Sequence, residues 1–332
     1  MPDIREVDLT DEVLLRRLWE IGAEADAEVP AVHDHPSWMS WRARFTRRDV
    51  SAARRLLAAY DDDQPAGYAE VSLPLLDNPR LAEVGVYVAR EARRRGHGSA
   101  LLGAVVDDAR RADRSLLMTG LSTGIDEVPV GQLFAEARGF TLAQYDVEKR
   151  LDIAAHRASW PVMLDDVAGR SDGYEVDTWV GQTPDRHLGA LCALMSSFNG
   201  EIPLGELDLE EEYWDPARLR DQERRRLETG RHGCVSIAIA PDGTPAGYTE
   251  IVVDDGWPGI AFQEGTLVVP GHRGRRLGLR LKLINQLRMV RDFPDVGTIE
   301  AGNAADNDHM NAVNEVLGFR PVARWLELQR RL

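Results

Sequence analysis

Arg93-Arg94-Arg95-Gly96-His97-Gly98-Ser99 is the stretch of this sequence most plainly suited to chemistry. It follows an apolar segment ending in Val86-Tyr87-Val88 and precedes Leu101, Leu102, Val105, Val106 and Ala109, a stripe at helical spacing. A strand that runs into a glycine-rich basic loop opening a helix makes a phosphate cradle. Backbone N–H groups converge at the helix N-terminus, where the partial positive charge favours an anion, and arginines add charge-assisted hydrogen bonds. Spacing excludes two common phosphate loops. A Walker A loop needs Gly-Lys-Ser/Thr, and no lysine lies here. A dinucleotide-binding turn wants glycine directly after the strand and again inside the helix, where this chain has a long step from Val88 to Gly96 and then Leu101. Taken alone, the loop also fits an exposed basic turn capped by glycines.

The elements that must position this loop occur twice. Gln64–Glu70 (QPAGYAE) matches Thr244–Glu250 (TPAGYTE), with Ala66 and Ala246 offset by 180 residues. At that offset Gly85–Val88 faces Gly265–Val268, Arg93 faces Arg273 and Gly98 faces Gly278; Arg138-Gly139-Phe140 faces Leu317-Gly318-Phe319 with a slip of one. Repeats this long are duplicated domains. Each half opens on a strand (Ile4–Val7; Tyr174–Val176), continues through helices, and then alternates as strands at Gly67–Leu73 and Leu81–Val88, or at Val235–Ala240, Ala246–Val253 and Gly265–Val269. The basic loop, a helix, a strand, a helix ending at Gly-Phe and a closing strand follow. In the second half Leu283, Ile284, Leu287 and Val290 supply the helical stripe, and Asp152–Asp172, broken by Pro161 and Gly169, reads as the linker. The pattern predicts an α/β sandwich in each half, over 1–152 and 173–332.

Arg93-x-x-Gly96-x-Gly98 resembles the acetyl-CoA pyrophosphate loop of the GNAT superfamily of N-acetyltransferases, whose signature is Gln/Arg-x-x-Gly-x-Gly/Ala. The second loop, Arg273-Gly274-Arg275-Arg276-Leu277-Gly278, departs from it by placing Arg276 where the first signature glycine is expected. Ile299–Arg320 (IEAGNAADNDHMNAVNEVLGFR) looks very like the superfamily's asparagine-rich stretch before Gly-Phe. The resemblance implies two tandem GNAT-type acyl-CoA N-acyltransferase domains, each a mixed central β-sheet flanked by helices, in an organisation similar to the mycothiol synthase type. It further implies acetyl-CoA as acyl donor. In the first half the strand residues Val86 and Val88 and the loop Arg93–Ser99 would meet it. In the second half Leu267, Val268 and Val269 would, with Arg273–Gly278, Asn303 and Asn307. Asn303 and Asp306 also fit plain helix capping. Because Thr123 and Glu127 replace the two asparagines in the first half, the N-terminal domain is expected to be partly degenerate and the C-terminal one catalytic.

By that resemblance the strand Thr266–Val269 offers N–H groups to the thioester carbonyl, and a carboxylate takes the proton of the attacking amine. Glu264 is the first candidate and Glu250 the second. A strand-edge glutamate is also commonly a solvated charge, and Glu250 has a counterpart at Glu70, as a shared structural residue would. Asn314 stands where many relatives carry the tyrosine that protonates the leaving thiolate. The insertion Met195–Trp214 is the candidate acceptor wall, with Glu210, Glu211, Tyr213 and Trp214 set to receive a small amine; it reads equally as a solvated acidic face. A competing reading keeps acetyl-CoA binding without turnover, in a regulatory or scaffold protein.

Bulk properties bound these readings. The chain has 332 residues, a net charge of −15 and no apolar run long enough for a bilayer, so neither a membrane nor nucleic acid is an expected partner. Its acidic N-terminus lacks signal-peptide order, and Cys192 and Cys234 fit a reducing compartment, which together predict a cytoplasmic protein. No histidine or cysteine has metal-ligand spacing, so no metal is predicted. Lys149 and Lys282 are the only lysines.

Overall fold

The apolar run Leu81–Val88 forms a strand over its whole expected length, and the stripe from Leu101 to Ala109 becomes the buried face of the helix behind it. The computed structural model describes residues 2–29 and 35–332. In chain order its elements are β1 (Asp3–Glu6), α1 (Glu12–Asp26), α2 (Trp38–Thr46), β2 (Ala52–Asp61), β3 (Gln64–Pro74), β4 (Leu81–Val88), α3 (His97–Arg111), β5 (Leu116–Thr123), α4 (Val130–Glu136) and β6 (Thr141–Asp152). There follow α5 (Ile153–His156), α6 (Trp160–Ala168), β7 (Glu175–Val180), α7 (Asp185–Ser196), α8 (Phe198–Glu201), α9 (Pro216–Glu228), β8 (Arg231–Ile239), β9 (Pro245–Asp254) and β10 (Ile260–Val268). The chain closes with α10 (Leu277–Asp292), β11 (Thr298–Ala304), α11 (Asp308–Leu317) and β12 (Arg320–Arg331).

Two compact units result. The first comprises Met1–Asp146, Gly205–Leu209 and Ala323–Leu332, and the second Val147–Leu204 and Glu210–Val322. The strand order is β1-β2-β3-β4-β5-β12 in the first and β6-β11-β10-β9-β8-β7 in the second. Within each, one parallel pairing (β4 with β5; β10 with β11) sits among antiparallel ones, so both sheets are mixed. Alternation along β3 sends Tyr68 into a cluster with Leu15, Leu18 and Trp41 of α1 and α2. Its neighbours Ala69 and Val71 join the opposite cluster with Leu101 and Val105 of α3. Leu326 and Leu328 of β12 complete that second cluster, and β12 pairs with β5 from Arg324↔Thr123 to Arg331↔Leu116. The first unit therefore depends on the last residues of the chain. It also takes Gly205–Leu209: Leu207 and Leu209 pack on Leu81, Leu116 and Met118, while Asp208 pairs with Arg80 at 2.9 Å.

Two elements differ from the sequence expectation. Ala52–Asp61 is a strand, although its Arg-Arg-Leu-Leu-Ala-Ala core is rich in helix-favouring residues; ladders with β1 and β3 override that propensity. The expected linker contains α6, because Pro161 occupies the first turn, where its missing N–H costs nothing. Trp160 is fully buried in the core of the second unit. No helix among the described residues is long and apolar enough to cross a membrane, and none of the His, Cys, Asp or Glu side chains there group as a metal site.

Candidate functional site

The second unit breaks its own ladder where the repeat places chemistry. From Ala261↔Val253 to Gln263↔Ile251 the β9–β10 register is constant; it resumes shifted at Thr266↔Thr249. Glu264 and Gly265 together therefore oppose Glu250, which is a β-bulge. The side-chain amide of Gln263 fills the kink, donating to Glu250 O at 2.6 Å, Thr249 Oγ1 at 3.1 Å and Glu264 O at 3.2 Å. Gly265 is required there, since a Cβ would come within 2.8 Å of the Tyr248 hydroxyl. Beyond the bulge β10 also leaves β11, whose pairing ends at Gln263↔Ala301. A backbone edge is thus opened. Val269 N–H bonds Ala246 O at 3.1 Å, so by alternation Leu267 and Val269 turn to β9 while Thr266 and Val268 turn their N–H groups to the opening.

At the end of that edge lies the basic loop. Gly274 (φ 78°) and Arg276 (φ 55°) are both left-handed, and Arg276 is the N-cap of α10. In the first unit the left-handed pair is Arg94 (φ 63°) and Gly96 (φ 92°), with Gly96 the N-cap of α3. The two loops share one backbone form with the glycine and arginine exchanged. Arg276 consequently keeps the turn that the signature glycine would make, and the first-turn N–H groups of Leu277, Gly278 and Leu279 have no helical acceptor. Arg273 donates to Val268 O at 2.9 Å and pairs with Glu201 at 2.7 Å; Arg93 likewise donates to Val88 O at 3.2 Å and pairs with Glu28 at 2.9 Å. Those two arginines brace their loops. Arg95 pairs with Asp61 at 2.6 Å and Arg276 with Asp166 at 3.6 Å, which leaves Arg94 and Arg275 without a carboxylate partner among the described residues.

Across β11, Asn303 accepts from the Asn314 amide, and the buried Lys282 ammonium donates to Asn314 Oδ1 at 2.9 Å. Burial, and then the charge of Lys149, pull Lys282 down to about 7. Asn314 is thus a fixed amide whose orientation Lys282 dictates. Asn307 caps α11 by accepting from Met310 N–H at 3.1 Å, which leaves its Nδ2 as a donor.

On the other side of β9 lies a cavity of about 750 Å³ in which Glu250 and Tyr248 meet Arg226 of α9 and Arg231 of β8. Glu250 bonds Arg226, and its side chain is only 12% exposed. Glu264 is exposed and stands 3.6 Å from Arg231. Tyr248, which sequence reasoning passed over, is buried against the bulge, and burial raises its hydroxyl well above the ordinary range. Its only signal was the shared Ala-Gly-Tyr of the repeat. Glu210, Glu211, Tyr213 and Trp214 do not line this cavity; Tyr213 is 71% exposed, and the Trp214 ring lies under Arg218 at 4.2 Å.

The first unit parts its strands at the equivalent place, β4 leaving β5 after Glu83↔Met118, but it lacks the bulge. Its β3–β4 ladder runs in one register from Gly67↔Val88 to Ser72↔Glu83, with no bulge. Glu70, the counterpart of Glu250, accepts from Trp41 Nε1 at 2.7 Å, and Trp41 and Tyr68 are fully buried where the second unit has its cavity. Tyr68 stacks on Tyr87 at 4.8 Å. The Phe134 ring crowds Gly98, within 3.2 Å of where a Cβ would lie, and Arg138 covers that ring and bonds Ser99. Val86, Val88, Arg94 and His97–Ser99 therefore keep their loop, and the cavity of about 460 Å³ beside Val88 and Arg93 is not lined by Glu70.

Residues 17–140 match the model of the Acetyltransferase (GNAT) family. No curated protein matches the chain in sequence. Among solved structures, a tandem GNAT protein from the clavulanic acid biosynthesis pathway is similar over 100% of this chain and 98% of its own, with 26% identity and a TM-score of 0.82. A GCN5-related N-acetyltransferase from Sphaerobacter thermophilus covers 99% and 95% at 15% identity and a TM-score of 0.66, a likeness of fold.

Proposed function

We propose, from the match of residues 17–140 to the GNAT acetyltransferase family and the likeness of the chain to a tandem GNAT protein, that the second unit transfers an acetyl group from acetyl-CoA to a small amine. The observation that carries this reading is the coincidence, in the second unit, of the bulged and opened β10 edge with a cavity holding Glu250. The residues present suit the donor. Arg275 and the first-turn N–H groups of α10 would hold its pyrophosphate, and the N–H groups of Thr266 and Val268 with the Asn303 and Asn307 side chains would line its pantetheine arm. Acetyl-CoA supplies an activated thioester there.

In this reading the open N–H groups of β10 stabilise charge developing on the thioester oxygen, being fixed before the reaction begins. Glu250 accepts the proton of the attacking amine, directly or through water. Its pairing with Arg226 fixes its place in the cavity, and a carboxylate base suffices because bonding to the carbonyl carbon makes the nitrogen strongly acidic. Glu264, on the bulge itself, stands 3.6 Å from Arg231 and adds its charge to the cavity field. Asn314, oriented by Lys282, donates to Asn303 and holds that side chain in place rather than delivering a proton.

Release of free thiol from acetyl-CoA across a panel of small amines tests the proposal. An Asn303→Ala/Asn307→Ala variant should lose most turnover, while Arg94→Ala/Gly98→Ala should keep it. The reverse pattern would move catalysis to the first unit, and tight acetyl-CoA binding without turnover on any amine would indicate a binding module.

A further inference from the structure

Among the described residues, Arg231, the first residue of β8, is the cavity guanidinium whose donors are not already taken. Arg220 bonds Glu223 at 2.8 Å and Asp185 at 2.7 Å; Arg224 bonds Asp221 and, at 3.0 Å, Glu228; Arg226 bonds Glu250. Arg231 instead stands 3.6 Å from Glu264 and 3.9 Å from Asp254, outside hydrogen-bond reach of both. Its fork of N–H donors is left for another acceptor. The same imbalance shows in its proton affinity. Desolvation pulls Arg231 below the ordinary guanidinium range, against the pull of Glu264, whereas Arg220, Arg224 and Arg226 are raised. A guanidinium that is 35% exposed at the cavity wall, with its donors unspent, is a place for an anion.

The position of Arg231 relative to Glu250 says what kind of anion. Arg231, Gly233 and Val235 share one face of β8, and Val235 pairs with Glu250. A Cβ at Gly233 would fall 2.9 Å from Glu250 Oε1 and 3.6 Å from Arg226 Nη1, so the absence of that carbon makes room for the carboxylate and its partner. Two strand residues, about 7 Å of backbone, separate this point from Arg231. One small molecule can reach both.

Building on the acetyl-transfer reading of this site, we propose that the acceptor is an amino acid or a close chemical relative, its amine set against Glu250 and its carboxylate held by Arg231. The carboxylate of Glu250 favours the cationic end, and Arg231 favours the anionic end. A simple diamine leaves Arg231 uncompensated. A simple acid leaves Glu250 without its amine.

The test compares amino acids with their own carboxamides. Thiol release from acetyl-CoA is measured for each pair with the wild-type protein, Arg231→Gln and Arg231→Lys, and binding is followed in parallel as the rise in melting temperature each compound produces. In the wild type the acid should have a KM at least about tenfold below that of its carboxamide. The difference should vanish in Arg231→Gln and partly persist in Arg231→Lys. Carboxamides used as well as acids by the wild type overturn the proposal, as does a preference for acids that survives in folded Arg231→Gln. Should Arg231→Gln fail to fold, the wild-type pairs and Arg231→Lys still decide. If nothing in the panel releases thiol, the acetyl-transfer reading fails, and the melting shifts then judge the carboxylate site by themselves: larger shifts with acids support it, and equal shifts refute it.

Discussion

Lys282 shows how much a single residue can hide. At 1% exposure it is buried in α10 between Leu281 and Leu283, off the stripe of Leu283, Ile284, Leu287 and Val290 that spacing picks out. Its ordinary value is 10.5 and burial holds it at about 7. Between those values the unfolded chain keeps a proton that the native protein has shed, so the unfolded state binds more protons and stability rises with pH through that window; below about 7 both states are protonated and the cost of the buried charge is fully present. Lys282→Met should therefore lose this rise, which denaturation midpoints of variant and wild type at pH 7 and pH 10 will show. A wild-type-like slope in the variant would mean that the ammonium is not the source. The residues that repeat and spacing expose, Glu250, Asn303 and Asn307, are legible because each stands in a motif. Gln263 is not, because nothing in its neighbours announces that a glutamine amide will fold under a bulge.

At the scale of elements, the basic loops teach most. Sequence alone makes Arg276 look like a broken signature, yet it adopts the left-handed form at the start of α10 as Gly96 does at α3. A non-glycine residue there carries strain on the order of 1 kcal/mol. Arg276→Gly should thus stabilise the protein by up to about 1 kcal/mol, read as an upward shift in melting temperature, with thiol release retained if Arg275 is the phosphate ligand. Loss of stability in that variant would show that the pairing with Asp166 outweighs the strain. Strand assignments followed alternation well at Leu81–Val88 and Gln64–Pro74, and poorly at Ala52–Asp61, where two ladders decide against local propensity. The bulge lies beyond such reasoning altogether. It is a relation between two strands, and the period of either one alone is unbroken by it.

For the whole molecule, the units interleave along the chain where the repeat suggests a simple cut between 152 and 173. Ala323–Leu332 supply a strand and two buried leucines to the first unit, and Gly205–Leu209 cover Leu81, Leu116 and Met118. Expressed alone, residues 1–152 should lack a cooperative thermal transition, and deleting Ala323–Leu332 from the full chain should destabilise the first unit by several kcal/mol, seen as early proteolysis within α3 and β5. A sharply melting 1–152 fragment would contradict this dependence. The duplicated architecture was legible from matched stations at a constant offset; the exchange of segments was not, since a β-strand carries no mark of which sheet it will join.

Duplication also supplies the most direct test of which unit carries transfer. Glu250 and Glu70 are the same residue of the repeat, one in a cavity beside a bulged strand and the other bonded to Trp41 on an unbulged ladder. The measurement is kcat for thiol release by Glu250→Gln and Glu70→Gln at saturating acetyl-CoA. A fall of roughly 10²–10³-fold in Glu250→Gln, with Glu70→Gln near wild type, is the expected result. Loss of activity in Glu70→Gln with Glu250→Gln unaffected would contradict it.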